Sequence, residues 1–298
     1  MCTAISFKTK DHYFGRNLDL EYSFSETVTI TPRNYPLKFR HQKDLQSHYA
    51  MIGTAYIPDN YPLYYEATNE MGLSMAGLNF PGQADYKEFD NTKDNIAPFE
   101  FISWILGQCA SVHEAMPLLQ RINLLHEDYS DALKLTPLHW LISDQYISLT
   151  LEPISQGFII QPNSTGVLTN NPPFEVPQFS NLKESRGLPG DWTSSSRFIR
   201  ASFVKNNSIC GESEEESISQ FFHILSSVEH QRGAVDVGDN LYEITIYSSC
   251  CNTNKGIYYY KTYENSQITA VNMHHEDLNS SKLYSYPLRN KQQIYSEN

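Results

Sequence analysis

The chain has no long hydrophobic run, no basic patch and no leader-like start, and each absence excludes a class of protein. No stretch of the 298 residues approaches the ~20 apolar residues that a membrane-spanning helix requires. The first residues lack the basic-then-apolar pattern of a secretory signal. Lys and Arg are scattered and the formal net charge is -12, so the surface would repel nucleic acid. We therefore expect a cytoplasmic protein that binds neither a membrane nor a nucleic acid.

The cysteines are few and odd in number, which argues against a disulfide framework. The chain has Cys2, Cys109, Cys210, Cys250 and Cys251, and a reducing compartment fits this count better. Cys250 and Cys251 are adjacent and have no His or Cys partner at zinc-ligand spacing, so we interpret them as small, buried apolar groups in a strand. The sequence predicts no metal site.

Alternating apolar and polar residues dominate the chain and predict a protein rich in β-sheet. Tyr is frequent, at 20 copies, and favours strands. The segments TAISF and HYFGR predict a hairpin closed by KTKD, and similar pairs follow along the chain. The clearest helix is EEESISQFFHILSSVEH, whose apolar residues form one stripe. Strands at both ends with helices between them predict an α+β fold with largely antiparallel sheets, in a single domain over residues 1–298.

Three further helices are predicted from their start signals. Pro98 is a favourable first residue for the helix in PFEFISWILGQCA. Ser111 and Glu114 have the spacing of a capping box, and Pro117 should kink or shorten the helix that they begin. Thr193, or the serine after it, is the expected cap of the helix in TSSSRFIRASFVKN.

The first twenty residues, MCTAISFKTKDHYFGRNLDL, place a cysteine directly behind the initiator methionine. Methionine is usually removed before so small a residue, and Cys2 would then carry both a thiol and a free α-amine. The α-amine titrates near ~7.7–8.0 and can act as a general base, while the thiol, near ~8.5, is already partly ionised. We interpret Cys2 as a candidate nucleophile that needs no separate histidine.

Arg16 and Asp19 can reach Cys2 because the predicted hairpin returns the chain to its start. Arg16 could stabilise the thiolate, and Asp19 could hold the protonated amine through a charge-assisted hydrogen bond. A frayed terminus with a solvated Arg and Asp at the hairpin end is the alternative, and these three residues alone do not exclude it.

Six segments spread over the chain carry a resemblance to a known family. They are MCTAI, FGRNLD, NEMGLSMAGLNFPG, GVLTNNP, GLPGD followed by SSRF, and GIYYYKTYENSQI. In this order they resemble the choloylglycine hydrolase family, and within it the bacterial bile salt hydrolases, with the penicillin V acylases as close relatives. The resemblance implies an N-terminal-nucleophile amidohydrolase without a cofactor. It also implies an αββα architecture, in which two stacked antiparallel sheets lie between helical layers.

The resemblance assigns roles to six polar residues. It implies a nucleophile, its thiolate partner, the carboxylate that holds the amine, two asparagines and an arginine, in the order Cys2, Arg16, Asp19, Asn79, Asn170 and Arg197. The asparagines can offer N–H donors to the oxyanion that forms when an amide carbonyl is attacked. The structural alternatives are a turn former for Asn170, a strand end for Asn79 and a solvated cation for Arg197.

The same resemblance implies a substrate. Penicillin V acylases tend to carry tyrosine where this chain has Asn79, which favours a bile salt conjugated to glycine or taurine. Leu18 and Leu138 fall at pocket positions of the family, although leucine suits any core. Cleavage of penicillin V or of another N-acyl amide is one alternative, and an inactive homologue that binds bile acids is a further one.

The chain is shorter than the family between Asn170 and Gly187. The segment 171–186 is short by about two dozen residues, including a hairpin that the family uses in tetramer assembly. The sequence therefore leaves open whether the homo-oligomer forms. At ~3.3 Å per extended residue, the shortened path can still bring Asn170 and Arg197 to one site.

Overall fold

The computed structural model describes residues 1–174 and 188–298, which form two large β-sheets with helices on their outer faces. The strands, in chain order, are β1 (Cys2–Lys8), β2 (His12–Leu20), β3 (Thr27–Thr31), β4 (Met51–Tyr56), β5 (Leu63–Asn69), β6 (Ser74–Asn79), β7 (Asp94–Ile96), β8 (Ile122–Leu124), β9 (Leu138–Ser143), β10 (Ser148–Ile154), β11 (Gly157–Pro162), β12 (Val167–Leu168), β13 (Asp236–Gly238), β14 (Leu241–Tyr242), β15 (Ile244–Asn252), β16 (Ile257–Thr262), β17 (Asn265–Asn272) and β18 (Tyr284–Pro287). The helices are α1 (Phe101–Gln108), α2 (Val112–Leu119), α3 (Ser194–Asn206) and α4 (Glu214–Ser226). Most of the segment that the sequence predicts to be shortened, residues 175–186, lies outside the described residues.

The sheets stack face to face and are antiparallel throughout. One sheet has six strands in the order β12-β1-β2-β15-β16-β17, and the other has eight in the order β11-β10-β9-β6-β5-β4-β3-β18. Helices α3 and α4 pack on the six-stranded sheet, and α1 packs on β5 and β6 of the eight-stranded sheet. The predicted α+β class and the αββα layering are therefore confirmed. Within the described ranges, no helix is long and apolar enough to cross a membrane.

The first two helices begin close to their predicted signals, with two differences. Pro98 opens a 3-10 turn, and the α-helix itself begins at Phe101. The hydroxyl of Ser111 accepts the N–H of Glu114 at 3.2 Å, as predicted. The Glu114 carboxylate, however, accepts the N–H of Ala110 at 2.8 Å rather than that of Ser111. The predicted capping box is therefore wrong in its second half.

The remaining helix predictions are confirmed, except that α4 ends at Ser226, before the last four residues of the predicted segment. Pro117 lies inside α2, where it removes one i→i−4 hydrogen bond, and the helix is short, ending at Leu119. Thr193 caps α3 by accepting the N–H of Ser196 at 3.3 Å. The apolar stripe of α4 is buried as predicted and consists of Ile218, Phe221, Phe222 and Leu225, followed by Val228 beyond the helix end.

The first hairpin decides which residues face the second sheet. β1 and β2 pair in register, with Cys2 opposite Leu18. Directly opposed residues of an antiparallel ladder share a face, and so do alternate residues of one strand. Cys2, Arg16 and Leu18 therefore share one face. Asp19 lies on the other face, where it opposes Thr245 of β15.

A buried histidine lies near the far end of the same hairpin. His12 is 1% exposed, and its ring nitrogens lie 2.9 Å from the hydroxyls of Ser6 and Thr253. Burial, assisted by the charge of Lys8, lowers the pKa of His12 from 6.5 to about 4. The folded protein therefore holds this histidine neutral at pH values where the unfolded chain would protonate it.

We expect His12 to make the fold sensitive to acid. Its stabilising contribution is complete above pH 6.5 and is lost as the pH falls toward 4, because only the unfolded chain takes up the proton in that window. Between pH 7 and pH 4.5, His12 alone should lower the free energy of unfolding by about 2–3 kcal/mol. Urea denaturation at both pH values measures this. His12→Gln should show a pH-dependent loss smaller by that amount, and an equal loss in both proteins would contradict the assignment.

Candidate active site

A cavity of about 350 Å³ brings together five of the eight residues predicted for the site, namely Cys2, Arg16, Leu18, Asn79 and Leu138. Its volume lies within the ~300–1,000 Å³ range of small-molecule sites. The two leucines oppose site residues across ladders, Leu18 opposite Cys2 and Leu138 opposite Asn79. The rest of the wall is mainly aromatic and aliphatic and includes Leu20, Phe24, Tyr56, Leu63, Tyr65, Phe99, Ile102, Tyr129 and Leu135.

A second cavity, of about 470 Å³, is larger but lies away from these residues. It is lined by Tyr22, Glu26, Ile244, Tyr263 and Leu288, among others, and none of the residues that line it carries a thiol. Amide cleavage by a covalent route needs the nucleophile in the wall of the cavity that holds the substrate. We therefore assign the candidate site to the smaller cavity.

Arg16 is completely buried beside Cys2. Its Nη1 donates to the main-chain carbonyls of Gly77, at 2.5 Å, and Tyr65, at 3.1 Å, both on the facing sheet. Burial opposes the charge of the guanidinium, but surrounding negative groups, that of Cys2 first, raise the pKa of Arg16 overall. Its Nη2 has no hydrogen-bond partner in the part of the chain that the structure describes. Arg16 is therefore a permanent cation with a free donor.

Asn170 joins the nucleophile to two other predicted residues. Its Oδ1 accepts the main-chain N–H of Cys2 at 2.8 Å and Nη2 of Arg197 at 2.7 Å. Its Nδ2 donates to the carbonyl oxygen of Asn79 at 2.6 Å. Its own N–H donates to the hydroxyl of Ser194, at the start of α3, at 2.8 Å. The side chain of Asn170 therefore links the start of β1, the end of β6 and helix α3.

Arg197 is 0% exposed, so the alternative of a solvated cation is wrong. Its Nη1 donates to the carbonyl of Cys2 and, at 2.9 Å, to the hydroxyl of Thr3. Burial lowers the pKa of Arg197, and the charges of Asp19 and Cys2 oppose that effect. Arg197 thus holds the carbonyl of residue 2 while Asn170 holds its N–H, and together they fix the main chain at Cys2.

Met1 precedes Cys2 in the structure and is held at its amino group. The Met1 ammonium donates to the carbonyl of Asp19 at 2.9 Å and lies against the carboxylate of Glu243. The Asp19 carboxylate accepts the hydroxyl of Thr245 at 2.6 Å, and its second oxygen has no hydrogen bond to any described residue. That Asp19 holds the freed amine of Cys2 stays a prediction.

Two buried glutamates near the site were missed by the sequence analysis. Glu243 is 4% exposed and contacts the Met1 ammonium. Glu66 is 2% exposed, and its Oε2 lies 3.9 Å from Nε of Arg16. A charged residue inside the strand LYYEATN is a signal that could have identified Glu66, because a buried carboxylate requires a partner. Among residues 1–174 and 188–298, no group of three His, Cys, Asp or Glu side chains could hold a metal ion.

Comparisons with known sequences identify the family. The chain matches the linear amide C–N hydrolases of the choloylglycine hydrolase family over residues 2–186 and 175–286. It is 49% identical to the bile salt hydrolase/transferase of Lactiplantibacillus plantarum, and the match covers 100% of both chains. It is 36% identical to the bile salt hydrolase/transferase of Clostridium perfringens, with 96% of each chain covered.

Solved structures show the same architecture. A mutant of the conjugated bile acid hydrolase from Clostridium perfringens superposes with a TM-score of 0.91, at 35% identity and with 100% of both chains covered. The penicillin V acylase from Agrobacterium tumefaciens has a TM-score of 0.78 at 19% identity, covering 96% of this chain and 90% of that one. The fold is that of the N-terminal-nucleophile hydrolases. The chain belongs to the choloylglycine hydrolase family, and it is an enzyme that hydrolyses linear amide C–N bonds.

Proposed function

We propose that the protein is a bile salt hydrolase, which cleaves the amide bond between a bile acid and glycine or taurine. The observation that carries this proposal is the cavity, in which Cys2, Arg16 and Asn79 share walls that are otherwise mostly apolar and aromatic. A steroid is large and apolar, and its amide requires a few directional polar groups at one end of such a pocket. Relatives at 49% and 36% identity that are named as bile salt hydrolases support the same substrate.

Before any turnover, the removal of Met1 frees the α-amine of Cys2. The amine accepts the proton of the Cys2 thiol, and Arg16 stabilises the resulting thiolate because its cation is fixed beside it. Asp19, through its carboxylate, and Asn170, through Oδ1, hold the protonated amine. The observed hydrogen bond of 2.8 Å between Asn170 and the nitrogen of Cys2 supports the second of these contacts.

Attack then forms a bond between Sγ and the carbonyl carbon of the substrate, and the carbonyl π electrons move to oxygen. Asn79 and Asn170 offer N–H donors to this oxyanion, and each donor is worth ~2.7–4 kcal/mol of barrier in comparable sites. The contact from Nδ2 of Asn170 to the carbonyl of Asn79, at 2.6 Å, supports a shared role because it ties the two residues together.

Collapse of the oxyanion breaks the C–N bond, and the amine of Cys2 returns its proton to the departing nitrogen. Glycine or taurine leaves, and the bile acid remains as a thioester on Cys2. Water, activated by the same α-amine, hydrolyses the thioester and restores the thiol. Arg197 takes no proton in this scheme. It holds the main chain of residue 2 through both steps.

Penicillin V is the second candidate substrate. The fold that the chain shares with a penicillin V acylase is compatible with it. Asn79 favours the bile salt, because the resemblance places tyrosine at this position in the acylases. Cleavage of penicillin V leaves 6-aminopenicillanic acid, so the two products are chemically distinct.

The test is a comparison of turnover with glycocholate, taurocholate and penicillin V at equal concentrations. We expect a kcat/KM for at least one bile conjugate that is at least ~100-fold above that for penicillin V, which corresponds to ~2.7 kcal/mol of discrimination. Faster release of 6-aminopenicillanic acid would assign the acylase function instead. Binding of cholate without acylation of Cys2 would indicate the inactive homologue.

We further infer that the enzyme works in the cytoplasm on a small-molecule substrate, as one domain over residues 1–298. All five cysteines are free thiols in the structure, which supports a reducing compartment. Whether the family's homotetramer forms depends on the segment 171–186, and sedimentation of the purified protein would measure it.

A further inference from the structure

Glu66 lies close to Arg16 and is surrounded by hydroxyl groups of the six-stranded sheet. Its Oε2 accepts the hydroxyl of Tyr247 at 2.7 Å, and its Oε1 accepts the hydroxyls of Ser249, at 3.1 Å, and Tyr258. Glu66 belongs to β5, whereas its partners belong to β15 and β16. These contacts therefore cross from the eight-stranded to the six-stranded sheet.

The same cluster reaches Arg16 by two routes. Nε of Arg16 lies 3.9 Å from Oε2 of Glu66. The hydroxyl of Ser249, which donates to Glu66, also accepts the main-chain N–H of Arg16 at 3.2 Å. Glu66 is 2% exposed and Arg16 is 0% exposed, so water screens their attraction little. Arg16 thus lies between the cavity, whose wall it shares with Cys2, and a buried carboxylate.

The hydrogen bonds indicate that Glu66 is the acceptor of the cluster. Burial raises the pKa of Glu66 overall, and the attraction of Arg16 and the three hydroxyl donors oppose that rise without cancelling it. Burial and the neighbouring carboxylate raise the pKa values of Tyr247 and Tyr258 well above 10.0, so both phenols keep their protons and donate. A carboxylate that receives three hydroxyl donors beside a guanidinium has the partners that a buried charge requires.

We propose that Glu66 is the counter-ion of Arg16 and acts as a positioning residue for the known reaction: it anchors the guanidinium and limits the net positive charge felt by the thiolate of Cys2. Too much positive charge would lower the basicity of the thiolate, and a less basic thiolate is a weaker nucleophile, with a Brønsted coefficient of ~0.4–0.5. Glu66 therefore maintains the nucleophilicity of the Cys2 thiolate, while Arg16 maintains the fraction of Cys2 that is ionised.

The charges of Arg16 and Glu66 act on Cys2 together with those of a few neighbouring groups. Among the described residues, the titratable or charged side chains that act on Arg16, Glu66 or Cys2 include Asp19, Tyr65, Tyr247, Tyr258, Cys251 and Arg197. Glu66→Gln removes one negative charge from this set and changes the shape little. The hydroxyls of Tyr247, Ser249 and Tyr258 can each donate or accept, so they can satisfy an amide in place of a carboxylate.

The experiment measures the rate of alkylation of Cys2 by iodoacetamide against pH, read by mass spectrometry of the N-terminal peptide. In Glu66→Gln we expect the apparent pKa of the Cys2 thiol to fall by about 0.5–1 unit, because Arg16 is no longer balanced. We also expect the limiting rate of alkylation at high pH to fall by about two- to threefold, because a less basic thiolate is a weaker nucleophile. The acidic limb of the pH profile of kcat/KM should move to lower pH together with the pKa of the Cys2 thiol. An unchanged or raised thiol pKa would overturn the proposal, since a merely structural role predicts one of these.

Two further variants separate this effect from misfolding. Glu70→Gln also deprives an arginine of its carboxylate, because Glu70 accepts Nε of Arg33 at 2.9 Å, and it should leave the thiol pKa unchanged. Tyr247→Phe keeps Glu66 and removes one donor, which favours the protonated acid. It should move the thiol pKa in the same direction as Glu66→Gln, but by less, and a rise would overturn the proposal.

The proposal rests on the proposed function only in taking Cys2 as the nucleophile. Alkylation needs no substrate, so the thiol pKa can shift as expected even if bile salts prove to be the wrong substrate. Conversely, normal turnover of bile salts with no shift of the thiol pKa in Glu66→Gln would reject the counter-ion and leave the proposed function intact.

Discussion

Replacing Cys2 with alanine is expected to abolish turnover of glycocholate and taurocholate while the protein stays folded. The side chain is 3% exposed, small, and in the wall of the cavity, so its loss removes one sulfur atom and little packing. No other thiol lines this cavity in the described residues. Removal of a nucleophile that acts with its base as a unit costs ~10⁶-fold in kcat in comparable enzymes. We expect a loss of at least ~10⁴-fold, measured as release of free glycine or taurine.

Cys250→Ala is the matched control. Cys250 is also buried, in β15, but it lies outside the cavity wall, and burial raises the pKa of its thiol well above 9.0. Its loss should leave kcat within about threefold, because an inert buried thiol acts only through packing. If Cys2→Ala retained more than about one hundredth of the wild-type rate, the covalent mechanism would be wrong.

The second large effect is expected at Asn170. Asn170→Ala should lower kcat by ~10²–10³-fold, because it removes an oxyanion donor worth ~2.7–4 kcal/mol. It also removes the acceptor for the nitrogen of Cys2 and a partner of Arg197. The effect should fall on kcat more than on KM, since Asn170 contacts the nucleophile and not the apolar wall of the cavity.

Asn171→Ala is the control for Asn170. It removes the same chemical group from the next residue of the same loop, but the Asn171 side chain donates to the carbonyl of Pro81, at 2.6 Å, rather than contacting Cys2. We expect kcat to change by less than about threefold. Steady-state kinetics on both variants provide the comparison, and equal losses would show that the loop matters only as a whole.

Local patterns were sufficient to predict the part of the site that lies on one hairpin. The turn KTKD and the alternation on either side of it set the pairing of β1 with β2. A period of two then places Arg16 and Leu18 on the face of Cys2. The helix that carries Arg197 was also predictable, because Thr193 is a strong cap and apolar residues follow it.

The burial of Arg197 and the presence of Glu66 could not be predicted from such patterns. Both depend on which elements are neighbours in space: α3 covers the start of β1, and β5 faces β2 across the two sheets. Neither adjacency follows from sequence spacing, because the strand orders skip along the chain. The resemblance to a family supplied Asn79, Asn170 and Arg197 as candidates, and the structure adds the hydrogen bonds that join them.

The aromatic wall of the cavity was missed for a similar reason. A count of 20 tyrosines indicates strands, but it does not say which rings meet. Phe24, Tyr56, Phe99 and Tyr129 come from four separate parts of the chain, namely two loops, the end of β4 and the 3-10 turn before α1, and they converge only in the folded protein. A pocket wall of this kind is a tertiary property, whereas a hairpin is a local one.

The most direct test of the mechanism is to identify the residue that carries the acyl group during turnover. Acid quenching of the enzyme with glycocholate in the steady state, followed by mass spectrometry of the N-terminal peptide, should find the cholyl group on the sulfur of Cys2 in a chain that begins at Cys2. A cholyl group on any other residue, or on a turning-over chain that still carries Met1, would contradict the account.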